Sequence, residues 1–146
     1  MKTLAEVTAA TGFAVLEHLE AEAQVPVLGG LQAQGDLFIV PADSVRDQAR
    51  SNARDAAGDP RLAVPAAGIA VIEAAGSGHE HRLFAGTPGT AWWTPAAWAG
   101  QDIGVLECAE PAFILHPEHG ATGIAPGAYV LRRQREQADE ERLVAD

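Results

Sequence analysis

The sequence predicts an α+β fold: an N-terminal helix followed by a mainly antiparallel β-sandwich or small β-barrel. Three observations lead there. Apolar residues in the first two dozen positions recur at roughly helical spacing. From residue 61 onward the apolar runs are short and strand-like. Turn residues (Gly, Pro, Asp or Ser) separate those runs, the pattern of a sandwich or barrel.

The helix is predicted over 3–23. Leu4, Val7, Ala10, Ala14 and Leu16 to Leu19 carry its apolar spacing, with Glu6, Glu17, Glu20 and Glu22 between them. Thr3 and Glu6 fit a capping box, while Gly12 weakens the middle. His18 falls in this helix beside Glu17 and reads as half-exposed. Residues 1–24 thus form a helical extension ahead of a β-rich core at 25–133.

In that core, Val25 to Leu28 is a short strand candidate ended by Gly29-Gly30. Gly35 to Pro41 is a stronger one, with a turn at Gly35 and a stop at Pro41. Asp36 reads as a turn residue bonding its own backbone, with a functional carboxylate as the alternative. A polar helix near 43–57 would start at Asp43 or Ser44 and end at Gly58-Asp59-Pro60. Arg46, Arg50 and Arg54 recur every four residues and stripe one face of it. The remaining strand candidates are Arg61–Val64, Gly68–Ala74, Glu80–Phe84, Ala91–Thr94, Ile103–Glu107, Pro111–His116 and Ala128–Arg133. Residues 134–146 are a charged tail. No linker composition interrupts the chain, so the expectation is one domain over 1–146.

Bulk properties exclude several roles. A chain of 146 residues is long enough to bury a core without disulfides or a metal staple. The net charge of −10 argues against nonspecific nucleic-acid binding but leaves room for a local basic site. Arg132, Arg133 and Arg135 form the dense basic cluster. No apolar run reaches the length of a membrane span, and Glu6 interrupts any leader-like stretch, so a cytoplasmic protein is expected. Cys108 stands alone and reads as a small buried hydrophobe.

Four of the five histidines come in two tight pairs. His79 and His81 are two residues apart, which on a strand puts both rings on one face about 6–7 Å apart. Glu80 between them would point the other way. His116 and His119 bracket Pro117-Glu118, a turn-forming segment that Gly120 relieves. If the fold brings the pairs together, neutral imidazoles could hold Zn, Fe, Ni or Mn, with Cu also suited. Glu118 could then be a ligand, a general base or a partner to an imidazole. Arg82, Arg133 and Arg135 are candidate anion clamps, with ion pairing to the acidic tail as their alternative use.

Residues 35–146 resemble an uncharacterised family of small bacterial and phage proteins. The marks are Gly78-His79-Glu80-His81, His116-Pro117-Glu118-His119-Gly120, Pro126-Gly127-Ala128-Tyr129, Arg135-Glu136 and Val144-Ala145-Asp146. That resemblance groups these residues without naming a reaction. A looser similarity to cupins rests on His79-x-His81, but Pro126-Gly127 is followed by Ala128-Tyr129 and not by a histidine.

The resulting expectation is a small hydrolase with a four-histidine, metal-binding site, acting on a phosphodiester or nucleic-acid substrate. His79, His81, His116 and His119 would be metal ligands, Glu118 the base, and Arg133 and Arg135 the anion clamp. One alternative is a metal-independent ribonuclease in which histidines act as acid and base and arginine holds the phosphate. The other is a non-enzymatic phage-type structural or assembly module, for which a homo-oligomer is the natural form.

Overall fold

The computed structural model describes residues 2–16, 19, 21–44, 61–73, 79–95 and 102–133. Strand β1 (Lys2–Thr3) leads into helix α1 (Leu4–Thr11). Thr3 caps the helix through the expected box: its Oγ1 accepts from Glu6 N at 3.1 Å, and its own N–H donates to Glu6 Oε1 at 2.8 Å. The helix is eight residues long, not twenty-one. Gly12 takes a left-handed conformation at φ 75° and ends it, donating to the Thr8 carbonyl. The glycine read as a weak point is a stop. The chain then returns, and β2 (Gln24–Val25) pairs antiparallel with β1. The proposed helical extension over 1–24 is therefore a helix followed by a returning segment. His18 lies outside the described residues.

Pro26 divides the predicted strand at 25–28. It has no N–H to give a ladder, and β3 (Val27–Leu28) pairs with a different sheet from β2. Next come β4 (Gln32–Gln34) and β5 (Leu37–Pro41), a hairpin whose two-residue loop is Gly35-Asp36. Gly35 supplies the positive φ, 61°, that so short a hairpin loop requires. Ala42–Ser44 form a 3-10 turn. The rest of the helix predicted near 43–57, with Arg46, Arg50 and Arg54, lies outside the described residues.

The remaining strands are β6 (Leu62–Ala63), β7 (Ile69–Ile72), β8 (His81–Ala85), β9 (Ala91–Pro95), β10 (Asp102–Cys108), β11 (Ala112–His116), β12 (Gly120–Ile124) and β13 (Gly127–Arg133). Most fall where the apolar runs placed them. Strands β1, β4 and β12 were not anticipated. In β12, Gly-Ala-Thr-Gly-Ile offers one large apolar residue to signal a strand.

A six-stranded sheet has the order β4-β5-β13-β10-β9-β6, and a five-stranded sheet the order β3-β12-β11-β8-β7. Pairing is antiparallel except between β3 and β12. Among the described residues neither sheet closes on itself, so the small-barrel alternative gives way to a sandwich-like, predominantly β arrangement. The main core joins both sheets: Leu37, Ile39, Trp93, Leu106 and Leu131 from the larger, with Ile72, Leu83, Ile114 and Ile124 from the smaller. A second cluster lies on the other face of the smaller sheet, where Leu4 and Val7 of α1 pack with Phe84, Phe113 and Leu115. Strands β8 and β11 thus bury side chains on both faces.

Candidate functional site

Alternation along β8 sends His81 and Leu83 toward the inter-sheet core, and Phe84 to the cluster under α1. Strand β11 pairs with β8 through Ile114↔Leu83 and Leu115↔Arg82, so its last residue, His116, comes beside His81. The two ring centroids are 4.5 Å apart. His79 reaches the same place, with its ring 5.7 Å from that of His116. Beyond His116 the turn Pro117-Glu118-His119 folds back, and the His119 ring lies 4.5 Å from His116. All four paired histidines converge, with His116 in the middle.

The burial is graded. His81 and His116 are 2% and 6% exposed. The His79 and Glu118 side chains are about half-exposed and stand 3.7 Å apart, Nε2 to Oε2. The cluster therefore has a closed floor and an open mouth. His116, Glu118 and His119 offer ligand atoms that all lie within 4.8 Å of one another and could hold a metal ion.

The opposite wall comes from the β4–β5 hairpin of the other sheet. Gln34 is buried at 3% exposure. Its Nε2 donates to the Ile114 carbonyl at 2.8 Å and to Thr122 Oγ1 at 3.0 Å. A carbonyl can only accept, so this contact fixes which end of the amide is NH₂. Gln34 Oε1 then faces His81 Nδ1 at 2.8 Å. That nitrogen must carry the proton, which leaves the neutral ring's lone pair on Nε2. Asp36 Oδ1 lies 3.2 Å from this Nε2, and Asp36 Oδ2 accepts from Arg133 Nε at 3.0 Å. The loop tip fits closely, because a Cβ on Gly35 would lie 2.9 Å from His119 Nε2.

His116 is held the other way. Its Nδ1 accepts from the backbone N–H groups of Glu118 (3.0 Å) and His119 (3.3 Å). Backbone N–H groups only donate, so the neutral ring carries its proton on Nε2. Burial, followed by the neighbouring His81, His119 and His79, pushes the His116 pKa down to about 4. Burial also lowers that of His81, against the opposing pull of Asp36. Burial pushes the Asp36 carboxyl up, but hydrogen bonding and charge from Arg133, with His81, outweigh it and hold it below its usual range.

Not every candidate joins this constellation. Arg82 points away from it, donating to the Ala67 and Gly68 carbonyls and pairing with Glu80. Arg132 pairs with Asp102. Arg133 reaches the site, and Arg135 lies outside the described residues. Tyr129 donates to the Ala125 carbonyl at 2.7 Å, so the Pro-Gly-x-Tyr segment ties down a strand start. Cys108 is buried, and that burial raises its thiol pKa, as suits a packing residue. Gln34 is the residue that sequence reasoning missed. Its signal was a glutamine in phase with Leu37 and Ile39 across a Gly-Asp hairpin tip, on the face that is buried.

Among the described residues no helix is long and apolar enough to cross a membrane. No curated protein and no solved structure matches this chain. One family does, over residues 33–134, a span that holds Gln34, Asp36, both histidine pairs and Arg133 and leaves out α1. With well over half its length covered, the chain belongs to the family described as Domain of unknown function (DUF8820).

Proposed function

We propose that the histidine cluster is the active centre of a small hydrolase that uses a divalent cation to cleave phosphodiesters, in nucleic acid or in smaller esters. The supporting observation is the convergence of four imidazoles, Asp36 and Glu118 at an open end of the sandwich, beside the half-exposed guanidinium of Arg133. A cation bound there would lower the pKa of a bound water and stabilise negative charge on a phosphoryl oxygen. Glu118, half-exposed at the mouth, would take a proton from that water. Arg133 is oriented through Nε by Asp36 and has further N–H donors for a phosphate.

A second reading keeps the substrate and drops the metal. The two buried histidines hold opposite tautomers: His81 presents a lone pair at Nε2 and His116 a proton at its own Nε2. Such a pair can serve as base and acid. One assay separates the readings. Bis(p-nitrophenyl) phosphate and single-stranded RNA are offered to the chelator-stripped protein, with and without added Mn²⁺ or Zn²⁺. Hydrolysis that requires the cation supports the metal reading, and hydrolysis that survives stripping supports the second. No cleavage under either condition overturns both and favours a non-enzymatic module.

A further inference from the structure

The buried amide of Gln34 creates a contact that is incomplete as it stands. Because Gln34 Oε1 takes the proton of His81 Nδ1, the neutral imidazole offers a lone pair at Nε2. What that lone pair meets, at 3.2 Å, is a carboxylate oxygen of Asp36, another acceptor. Two acceptors at that distance repel unless a positive charge lies between them or against both. Arg133 does not fill this role, since its Nε donates to the other oxygen, Oδ2. A metal ion does. Two donors bound to one tetrahedral ion at about 2.0–2.1 Å stand about 3.3–3.4 Å from each other.

We propose, resting on the metal reading above, that the cation is seated on His81 Nε2 and Asp36 Oδ1 with His119 as third donor, and that Gln34 is the positioning residue that aims His81 at it. His119 now stands with His116 and Glu118, and its exposed ring completes the set by turning toward His81: both rings border the same point, where a Gly35 Cβ would be, 2.9 Å from His119 Nε2 and 3.5 Å from His81 Cε1. Gly35 leaves that space to the ring. His116 is not a ligand in this arrangement. Its Nδ1 lone pair is committed to the Glu118 and His119 amides, so its Nε2 carries a proton. To bind metal through Nε2 it would have to move its proton to Nδ1 and give up both backbone bonds. This arrangement follows a general habit of metal-binding histidines, whose second nitrogen donates to a fixed acceptor that sets ring and tautomer. Here that acceptor is an amide anchored to the opposite sheet.

The test is zinc alone, titrated calorimetrically into the stripped full-length protein at pH 7.5. Long-range ¹H–¹⁵N spectra report the state of each imidazole, and backbone amide spectra check that each variant folds. Asp36→Asn puts an NH₂ opposite His81 Nε2 and closes the gap with no cation, so affinity falls at least 100-fold. His81→Gln gives a similar loss by a separate route and covers the case where Asp36→Asn fails to fold. Gln34→Leu weakens zinc about 10- to 100-fold and lets the His81 tautomer change, a signature that a purely structural role would not produce. His116→Asn can still accept from the same backbone N–H groups, and it weakens zinc less than either Asp36→Asn or His81→Gln. Wild-type affinity in both Asp36→Asn and His81→Gln, or a His116→Asn loss as large as theirs, overturns the assignment. So does a wild-type protein that takes no zinc and shows His81 protonated on both nitrogens, which would mean that a proton holds the pair together. Zinc bound as described without phosphodiester cleavage would leave this site standing while the hydrolase reading falls. Cleavage by a metal-free protein that takes up no zinc would do the reverse.

Discussion

Two hairpin tips meet at the mouth of the sandwich, and each fixes one buried histidine. The β4–β5 tip approaches His81 with a side-chain amide and puts the proton on Nδ1. The β11–β12 tip approaches His116 with backbone N–H groups and puts the lone pair on Nδ1. The rings are nearly equally buried and 4.5 Å apart, yet they present opposite chemistry at Nε2. In a histidine cluster, proximity does not assign roles. The hydrogen bond at the far nitrogen of each ring does.

Exchanging the two residues for neutral side chains breaks that comparison most directly. His81→Ala is expected to lower phosphodiester hydrolysis about 10²- to 10⁴-fold, the range for losing an acid–base or activating group. His116→Asn is expected to stay within about tenfold on the metal reading, because it keeps the turn and gives up no ligand. Initial rates at saturating Mn²⁺ compare the two. Equal losses would favour the metal-free reading, in which both rings move protons.

The histidine pairs were legible because strand alternation and a turn proline constrain where such side chains go. The turn at His116-Pro117-Glu118-His119 followed from local rules, as did the inward face of His81; His79 was read on the same strand, but β8 begins at His81 and His79 approaches His116 from ahead of it. Their meeting depends on the β8–β11 register, which is set by packing of Leu83 against Ile114 and not by any local signal. The helix boundary was misjudged because the apolar spacing continues past Gly12. Leu16 and Leu19 keep it going, yet Leu16 is exposed with its N–H bonded to the Pro117 carbonyl, and Leu19 packs with the α1 cluster while its N–H bonds the Leu16 carbonyl. Gln34 was not legible as a site residue. A glutamine carries no chemistry of its own, and its importance arises from three partners far along the chain.

Gln34→Leu isolates what the first tip contributes to folding. It strips the Ile114 carbonyl and His81 Nδ1–H of partners in a buried setting, at about 1–3 kcal/mol for each unsatisfied group. A net loss of about 2–4 kcal/mol in urea unfolding is expected, with relaxation of His81 toward solvent limiting the upper end. A loss under about 1 kcal/mol would mean that water replaces the amide and that the tip does not fix His81.

The second tip can be loosened by acid alone. The folded pKa of His116, about 4, is below the roughly 6.5 of an unfolded histidine. As pH falls, the unfolded chain takes up a proton first, so stability is full above about pH 6.5 and is lost progressively toward pH 4. His81, also lowered, adds to the loss with the same sign. For metal-free protein the expected drop is on the order of 1–3 kcal/mol across that window. Protonation at Nδ1 also removes the bonds from Glu118 and His119. His116→Asn should flatten most of the slope; a slope unchanged in that variant would place the titration elsewhere.

The smallest effects come from the glycines of the two tips, and they separate backbone strain from crowding. Gly35 and Gly120 both have positive φ, 61° and 78°. An alanine at either would pay about 1–2 kcal/mol for the left-handed conformation. The surroundings differ. A Cβ at Gly120 meets nothing nearer than Leu4 Cδ1 at 3.8 Å, an ordinary contact, whereas one at Gly35 falls 2.9 Å from His119 Nε2. Gly120→Ala should therefore lose only that stability and keep zinc affinity and activity. Gly35→Ala should lose a similar amount and also push the His119 ring aside, weakening zinc several-fold. Ring displacement is cheap because His119 is exposed, so the steric clash registers in binding more than in unfolding. Equal zinc affinity in the two variants would show that His119 is not a ligand and that the β4–β5 tip acts on His81 alone.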